Sequence, residues 1–406
     1  MRTGKVLLIT SNLPPVLGGS GVVYENLARY SNGRILVITA KRSYRDRLPL
    51  IGWREHDRRV PYRVVRLPFI RPVLLSHRPG RLIKTKQTLA ELVIRARLVG
   101  CLLRLFITES PSPAAICIGE LLANGWLIVL LHRLGINRTL VYVHGEEITT
   151  DDPYDSEHRR ARRALLSANK IVVVSRFSLK AVQELIGFAG SNRICLIENG
   201  VDNNRFKPTA KRPDLIEAYG LENNFVFVSV CRLLEKKGID RAIEAFAEVA
   251  RLDSCCRYLI VGTGPYQYVL QDLVCQVGMT DKIIFTGEVA DDDLVSHYAL
   301  GDVFVMPNRT LADGDTEGFG LVFLEANACG LPVIAGRDGG SADAVQNEYN
   351  GLVVDGRLVS EIVSAMLRLR KDERLRERLR LNGYERAAAA DWSKKTKEFL
   401  QVAANG

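Results

Sequence analysis

Asp315-Thr316-Glu317-Gly318-Phe319-Gly320-Leu321-Val322-Phe323-Leu324-Glu325-Ala326-Asn327-Ala328-Cys329-Gly330-Leu331-Pro332-Val333-Ile334-Ala335 reads as a loop, a helix, a turn and a strand. Gly318 and Gly320 free the backbone for close approach to a ligand. The helix predicted to start beside them turns its first amides toward that ligand, and such a terminus favours phosphate. Glu325 follows Glu317 by eight residues. Taken as helical, that step spans about 12 Å at ~1.5 Å per residue. Carboxylate pairs that hydrolyse glycosidic bonds sit closer, at roughly 5–9.5 Å, so a hydrolase pair is disfavoured. Glu325 has apolar neighbours on both sides, where an unpaired carboxylate is costly.

Outward from this stretch, short Val- and Ile-rich runs alternate with helical patterns. In the first half the runs are Val6–Thr10, Ile35–Thr39, Val64–Leu67, Ala115–Ile118, Leu140–Val143, Ile171–Val174 and Cys195–Ile197. They are apolar on successive residues, as strands buried on both faces of a parallel sheet are. The pattern restarts at Phe225–Val230 and continues through Tyr258–Val261, Lys282–Phe285, Val303–Met306, Pro332–Ala335 and Leu352–Val354. Asp240–Ala250 is an amphipathic helix with Ile243, Phe246, Ala247 and Ala250 on one face. Two rounds of strand–helix alternation predict an α/β chain of two doubly wound, Rossmann-like domains facing a central cleft. Strand character lapses over Asp202–Glu222, with Pro208 and Pro213 in it, which places the join there. The expected division is residues 1–203 and 204–386, with a C-terminal helix of about 387–406 packing back onto the first domain.

The 406 residues suffice for two cores, and 47% apolar with 25% charged residues is a globular balance. The net charge of +10 is local. Arg29 to Arg104 holds nineteen Lys and Arg against Asp46, Glu55, Asp57 and Glu91, so that stretch carries +15 and the remainder −5. Such a region favours an acidic partner, whether anionic headgroups, nucleic acid or a phosphorylated substrate, although a solvated basic surface has the same composition. Leu89–Phe106 mixes Leu89, Leu92, Val93, Ala96, Val99 and Leu103 with Arg95, Arg97 and Arg104. It reads equally as a helix lying on an anionic membrane or as a core helix with an arginine rim. The eight cysteines lie mostly in apolar runs and form no Cys-x-x-Cys pair, so neither a zinc site nor a disulfide framework is expected, and a reducing cytoplasmic setting fits. No apolar run approaches the roughly 20 residues of a membrane span. Any membrane contact is therefore expected to be peripheral.

Three further segments carry chemistry. Val230-Cys231-Arg232-Leu233-Leu234-Glu235-Lys236-Lys237-Gly238 ends a strand and precedes a helix, and Arg232 and Lys237 suit a diphosphate, one as a planar fork and one as a point charge. Pro14-Pro15-Val16-Leu17-Gly18-Gly19-Ser20-Gly21 follows the first strand, where glycines suit close contact at a helix start, although the spacing is not that of a dinucleotide fingerprint. Val143-His144-Gly145-Glu146-Glu147 sets a histidine at a strand end, a position as fit for a structural role as for chemistry. Glu198–Asp202, Gly262–Pro265 and Ser175-Arg176 are loops after strands.

In combination, Glu-Gly-Phe-Gly … Glu-Ala … Gly-x-Pro-Val, Arg … Lys-Gly, Asn-Gly-Val-Asp, Val-Gly-x-Gly-Pro and the N-terminal Gly-Gly resemble the large retaining glycosyltransferase family, the fourth in the usual sequence classification, with the two-domain GT-B fold. The likeness covers nearly the whole chain. Asp-x-Glu-Gly-Phe-Gly with the run from Ala335 to Gly340 resembles the branch containing phosphatidylinositol-mannoside mannosyltransferases. The resemblance implies a nucleotide-sugar donor, with no cofactor and no metal. It implies that Arg232 and Lys237 neutralise the donor diphosphate and that Glu325 holds the ribose hydroxyls. Glu317 and the amides of Gly318, Phe319, Gly320 and Leu321 would take the transferred sugar, and Gly18 and Gly19 the donor phosphate and sugar. His144 would lie near the reacting carbon, and the base near Thr286–Val289. Glu317 and Glu325 then read as holding the two ends of a sugar nucleotide.

The expected activity is transfer of a hexose, mannose from GDP-mannose, to a lipid-linked or glycan acceptor in cell-envelope or exopolysaccharide synthesis, on the inner face of the plasma membrane. Alternatives are a UDP-sugar donor, a sugar-nucleotide 2-epimerase of the same fold, and an inactive nucleotide-sugar binder. A nucleic-acid partner is not expected, because no aromatic-interleaved basic motif accompanies the charge.

Overall fold

In the computed structural model the described residues are 4–16, 18–71, 81–109, 113–150, 155 and 157–405, with the backbone alone for 81–87 and 188–189. Leu17 of the glycine-rich turn and residues 72–80 of the basic stretch lie outside the described residues. The chain divides into two units. Unit 1 comprises Met1–Val174, Ser178–Ile197 and Trp392–Gly406, and unit 2 comprises Ser175–Phe177 and Glu198–Asp391.

The apolar runs of the first half form β1 (Val6–Ile9), β2 (Ile35–Ala40), β3 (Arg63–Leu67), β4 (Ala115–Ile118), β5 (Thr139–Val143), β6 (Lys170–Val173) and β7 (Ile194–Leu196). They make one parallel sheet in the order β3-β2-β1-β4-β5-β6-β7. Leu7 sits in register between Leu36 and Ile116, and all three are buried. Covering each such side chain is worth about 1.5–3 kcal/mol, which is why these strands are apolar on both faces. Helix Gly19–Arg29 packs against helix Trp392–Ala404, whose Phe399 ring lies 5.9 Å from that of Tyr142 on β5.

Helix Arg81–Thr108 buries Leu98, Leu102 and Leu105 in this core. Its other face carries Leu89, Leu92, Val93, Ala96, Leu103 and Ile107, all exposed, with Ile107 at 83%. Val99 alone of the apolar set read from the sequence packs inward. No helix among the described residues is long and apolar enough to cross a membrane.

Unit 2 contains β8 (Phe225–Val230), β9 (Cys256–Val261), β10 (Ile283–Gly287), β11 (Val303–Met306), β12 (Val333–Gly336) and β13 (Gly351–Val354). They too are all parallel, in the order β10-β9-β8-β11-β12-β13. Helix Ile239–Leu252 buries Ile243, Phe246, Ala247 and Ala250, the face read from the sequence.

Strand order reverses direction between β1 and β4 in unit 1 and between β8 and β11 in unit 2. In an open parallel sheet the ligand crevice lies outside the carboxyl ends of the strands at that point. In unit 2 the loops bordering the crevice are those after β8 and β11, which carry Arg232–Gly238 and Pro307–Gly320.

Candidate active site

After β8 the chain makes a short 3-10 turn, Glu235–Lys237, and leaves it through Gly238 at φ 72. That glycine is required: a Cβ there would stand 2.0 Å from the Pro307 carbonyl oxygen. The close approach seats the β8 loop directly on the β11 loop. Lys237 Nζ donates to the Glu317 carboxylate, and both side chains are only 14% exposed. Lys236 is buried, and its Nζ donates to Asp315 Oδ1 at 2.7 Å and to the Thr316 carbonyl at 3.0 Å. Two successive lysines of one loop thus grip three successive residues of the other. Arg309 adds a two-pronged pair with Asp240, at 2.7 and 2.9 Å, tying the β11 loop to the first turn of helix Ile239–Leu252.

The far side of Glu317 rests on the run that follows β12. The Gly340 amide donates to the Glu317 carbonyl at 2.8 Å. A Cβ on Gly340 would lie 2.0 Å from the Gly318 carbonyl oxygen, and one on Gly339 would lie 2.2 Å from that of Glu317. The Ala335–Gly340 run is therefore the seat on which the Glu317–Gly320 backbone is held. Burial pushes the Glu317 carboxyl up, and the Lys237 and Lys236 ammonium groups more than offset this, holding it below its ordinary value.

Phe319 is buried and Leu321 half-buried, and helix Leu321–Ala328 starts directly after Gly320 at φ 87. The helical spacing between the two glutamates therefore does not hold. Glu317 to Gly320 is loop, only the last four of the eight steps are helical, and the 12 Å reckoning falls with them. Glu325 is half-buried and accepts a hydrogen bond from the Tyr298 hydroxyl at 2.8 Å, and burial raises its carboxyl above the ordinary value. Arg232 is exposed and has no ion-pair partner among the described residues. Of the two cations read from the sequence as suiting a diphosphate, Lys237 is bonded to Glu317. Thr286–Val289 ends β10 and turns through Gly287 at φ 73.

In unit 1, Gly18 and Gly19 are exposed where helix Gly19–Arg29 begins. The loop leading to them is anchored by Glu120, just past β4, whose buried carboxylate accepts from Thr10 Oγ1 at 2.7 Å, the Ser11 amide at 2.8 Å and the Asn12 amide at 3.0 Å. His144 follows β5. Its Nε2 lies 2.7 Å from the Tyr24 hydroxyl, which itself donates to the Gly119 carbonyl. One hydroxyl proton cannot serve both partners, so His144 Nε2 carries a proton and donates to Tyr24, leaving Nδ1 as the acceptor. Burial lowers His144 to about 4, so the ring is neutral near pH 7. Glu147 accepts from the amides of His144 and Gly145, and burial, then the Glu146 charge, raises it to about 7. Among the described residues no group of three His, Cys, Asp or Glu side chains forms a metal site.

Lys236, Glu120, Tyr24 and Tyr298 were not singled out from the sequence. Glu120 had a usable signal, a carboxylate directly after the strand where the winding reverses. Lys236 lies within the Val230–Gly238 segment but beside the more obvious Lys237, and Tyr24 and Tyr298 show only as a polar side chain within an otherwise ordinary segment.

Residues 211–386 match the family model described as glycosyl transferases group 1. The GDP-mannose-dependent alpha-(1-6)-phosphatidylinositol monomannoside mannosyltransferase of Mycobacterium tuberculosis is 32% identical over 374 residues, covering 90% of this chain and 89% of its own. The GDP-mannose-dependent monoacylated alpha-(1-6)-phosphatidylinositol monomannoside mannosyltransferase of Corynebacterium glutamicum is 26% identical over 372 residues, covering 91% and 89%. Among solved structures, Anabaena HepE in complex with UDP and glucose superposes with a TM-score of 0.75 over 99% of this chain and 100% of its own at 19% identity, a likeness of GT-B fold.

Proposed function

The chain belongs to the group 1 glycosyl transferases, and from that premise we propose that it moves mannose from GDP-mannose to a phosphatidylinositol-mannoside-like, lipid-linked acceptor. The observation that carries this reading is the Lys237–Glu317 pair across the winding reversal of unit 2, framed by glycines that admit no side chain. It sets a cation for a diphosphate beside a carboxylate for sugar hydroxyls. The donor and acceptor classes follow those named for the mycobacterial and corynebacterial relatives.

In the proposed reaction the bond between the sugar's anomeric carbon and the diphosphate oxygen breaks, and the diphosphate leaves with its electron pair. Lys237 and Arg232 stabilise that growing charge, with the amides of Gly318, Phe319, Gly320 and Leu321 supporting it. The acceptor hydroxyl attacks the same face, so configuration is retained, and its proton passes to the departing phosphate. No metal takes part. A glycosyl adduct trapped on a side chain would overturn this route. Glu317 holds the transferred sugar and Glu325 the ribose. Within unit 1, Gly18 and Gly19 stand exposed at a helix start, and burial keeps His144 neutral near pH 7.

We assign membrane contact to helix Arg81–Thr108. Its exposed Leu89, Leu92, Val93, Leu103 and Ile107 run beside exposed Arg97 and Arg104. An apolar stripe with a cationic edge suits the anionic inner leaflet of a plasma membrane.

A thermal-shift panel of nucleotide sugars tests the donor. A ligand at 100 times its Kd stabilises the folded state by about 2.7 kcal/mol. For a unit of this size that raises Tm by about 5–10 °C. GDP-mannose should give the shift, and Lys237→Ala and Glu325→Ala should each lose it. Stabilisation by UDP-sugars alone would overturn the donor assignment.

A further inference from the structure

Glu325 has a partner that the reaction as described does not use. Tyr298, on helix Leu294–Leu300, is 0% exposed and donates its hydroxyl to Glu325 Oε2 at 2.8 Å. Among the described residues it is the one hydrogen-bond donor to that carboxylate. Its ring is fixed on two sides, edge-on to Phe206 with centroids 5.9 Å apart and stacked on Phe304 at 6.0 Å. Phe304 in turn meets Phe323, two residues before Glu325 on helix Leu321–Ala328, at 5.9 Å. The hydroxyl therefore has little freedom to move, and it bonds only one of the two carboxylate oxygens. An ionised carboxylate has about four acceptor positions, so most of its capacity stays open.

We propose that Tyr298 is a positioning residue for the donor's ribose, holding Glu325 Oε2 so that Oε1 is presented to the ribose hydroxyls. A carboxylate on a two-carbon stem otherwise samples several rotamers, and fixing it beforehand removes that ordering cost from binding. The neighbouring charges do not fix it. Arg205 and Asp291 act on Glu325 with opposite sign, and Arg205 is itself bonded to Asp291 at 2.7 Å. The proposal rests on the reading of Glu325 as the ribose-binding carboxylate.

Calorimetric titration of the full chain with GDP and with 2′,3′-dideoxy-GDP separates the two. Wild type should prefer GDP by about tenfold or more, since each hydrogen bond to a charged group is worth roughly that factor. Glu325→Gln should reduce the preference to about twofold. Tyr298→Phe should weaken GDP by about fivefold while leaving dideoxy-GDP unchanged, and should add nothing in the Glu325→Gln background. Equal weakening of both nucleotides by Tyr298→Phe would mark a merely structural tyrosine and overturn the proposal. A Glu325→Gln protein that keeps the full preference would overturn the ribose reading itself. Should the phenylalanine variant fail to fold, fluorinated tyrosine at 298 keeps the ring and changes the hydroxyl's acidity. An unchanged GDP preference there would equally overturn the proposal.

Discussion

Lys237→Met should be far more costly to stability than a surface lysine, and a second substitution should restore stability without restoring function. Lys237 and Glu317 are each 14% exposed and bonded to one another. Removing one partner of a buried pair typically costs 3–5 kcal/mol, because the other charge is left unmatched. Lys236 remains nearby and still acts on Glu317, which puts the expectation at the lower end, about 3 kcal/mol. For a unit of this size that lowers Tm by about 6–12 °C. Exchanging both, Lys237→Met with Glu317→Leu, replaces the pair by apolar groups and should come within about 1 kcal/mol of wild type. Urea unfolding followed by circular dichroism reads stability, and GDP titration reads binding. Both variants should lose GDP, because the diphosphate loses its cation in each. The pH dependence has a definite sign. Glu317 lies below its ordinary 4.5 in the folded chain, so its contribution is present above that pH and is lost as pH falls through the lower folded value. The single variant should flatten this acid limb. A loss under about 1 kcal/mol for Lys237→Met would mean that the pair behaves as a solvated surface contact, and the reasoning would fail.

Gly340→Ala should lower the stability of unit 2 by about 1–3 kcal/mol, as overpacking does, and weaken GDP-mannose binding with it, since the new Cβ presses on the Gly318 carbonyl. Unchanged melting and binding would show that the seat yields freely. Burial raises Glu147 to about 7, so its stabilisation is full below 4.5 and fades as pH rises; burial lowers His144 to about 4, so its stabilisation is full above 6.5 and fades as pH falls. The two oppose each other between pH 4.5 and 6.5, and Glu147→Gln should leave stability climbing with pH across that window. A variant whose melting stays flat there contradicts this pairing. Flotation with anionic vesicles should carry the protein upward, less so at 0.5 M salt on the order expected from screening. Leu103→Asp with Ile107→Asp should abolish flotation at little cost to folding, because both side chains are exposed. Equal binding to neutral and anionic vesicles would rule out the assigned surface.

The sheets were legible because a strand buried on both faces leaves a local signature. Val6–Ile9, Ile35–Ala40 and Phe225–Val230 each declare themselves within six residues or fewer. Glycines were legible in kind but not in purpose: Gly339 and Gly340 stand out only as part of the Ala335–Gly340 run, and only the fold shows them backing Glu317. Pairings over long separations left no trace. Lys237 and Glu317 are 80 residues apart, and Glu120 reaches Thr10 across 110. Nothing local distinguishes Lys236, which is buried and bonded, from Lys237 beside it. The spacing of Glu317 and Glu325 was misread for a related reason. The helix starts only after Gly320, at a positive φ that the one-letter pattern does not display, so Glu317 to Gly320 lacks the helical rise.

Helix Trp392–Ala404 belongs to unit 1, although the 194 residues Glu198–Asp391 before it belong to unit 2. Phe399 reaches Tyr142, and the helix lies on Gly19–Arg29, the element that starts at the exposed glycines. On the ribosome, then, the unit begun first is finished last. Unit 2 has all its strands before Trp392 emerges, while the glycine-bearing helix of unit 1 waits uncovered for its final neighbour. Nascent chains arrested before and after Trp392–Ala404 should accordingly differ in protease resistance in unit 1, and little in unit 2.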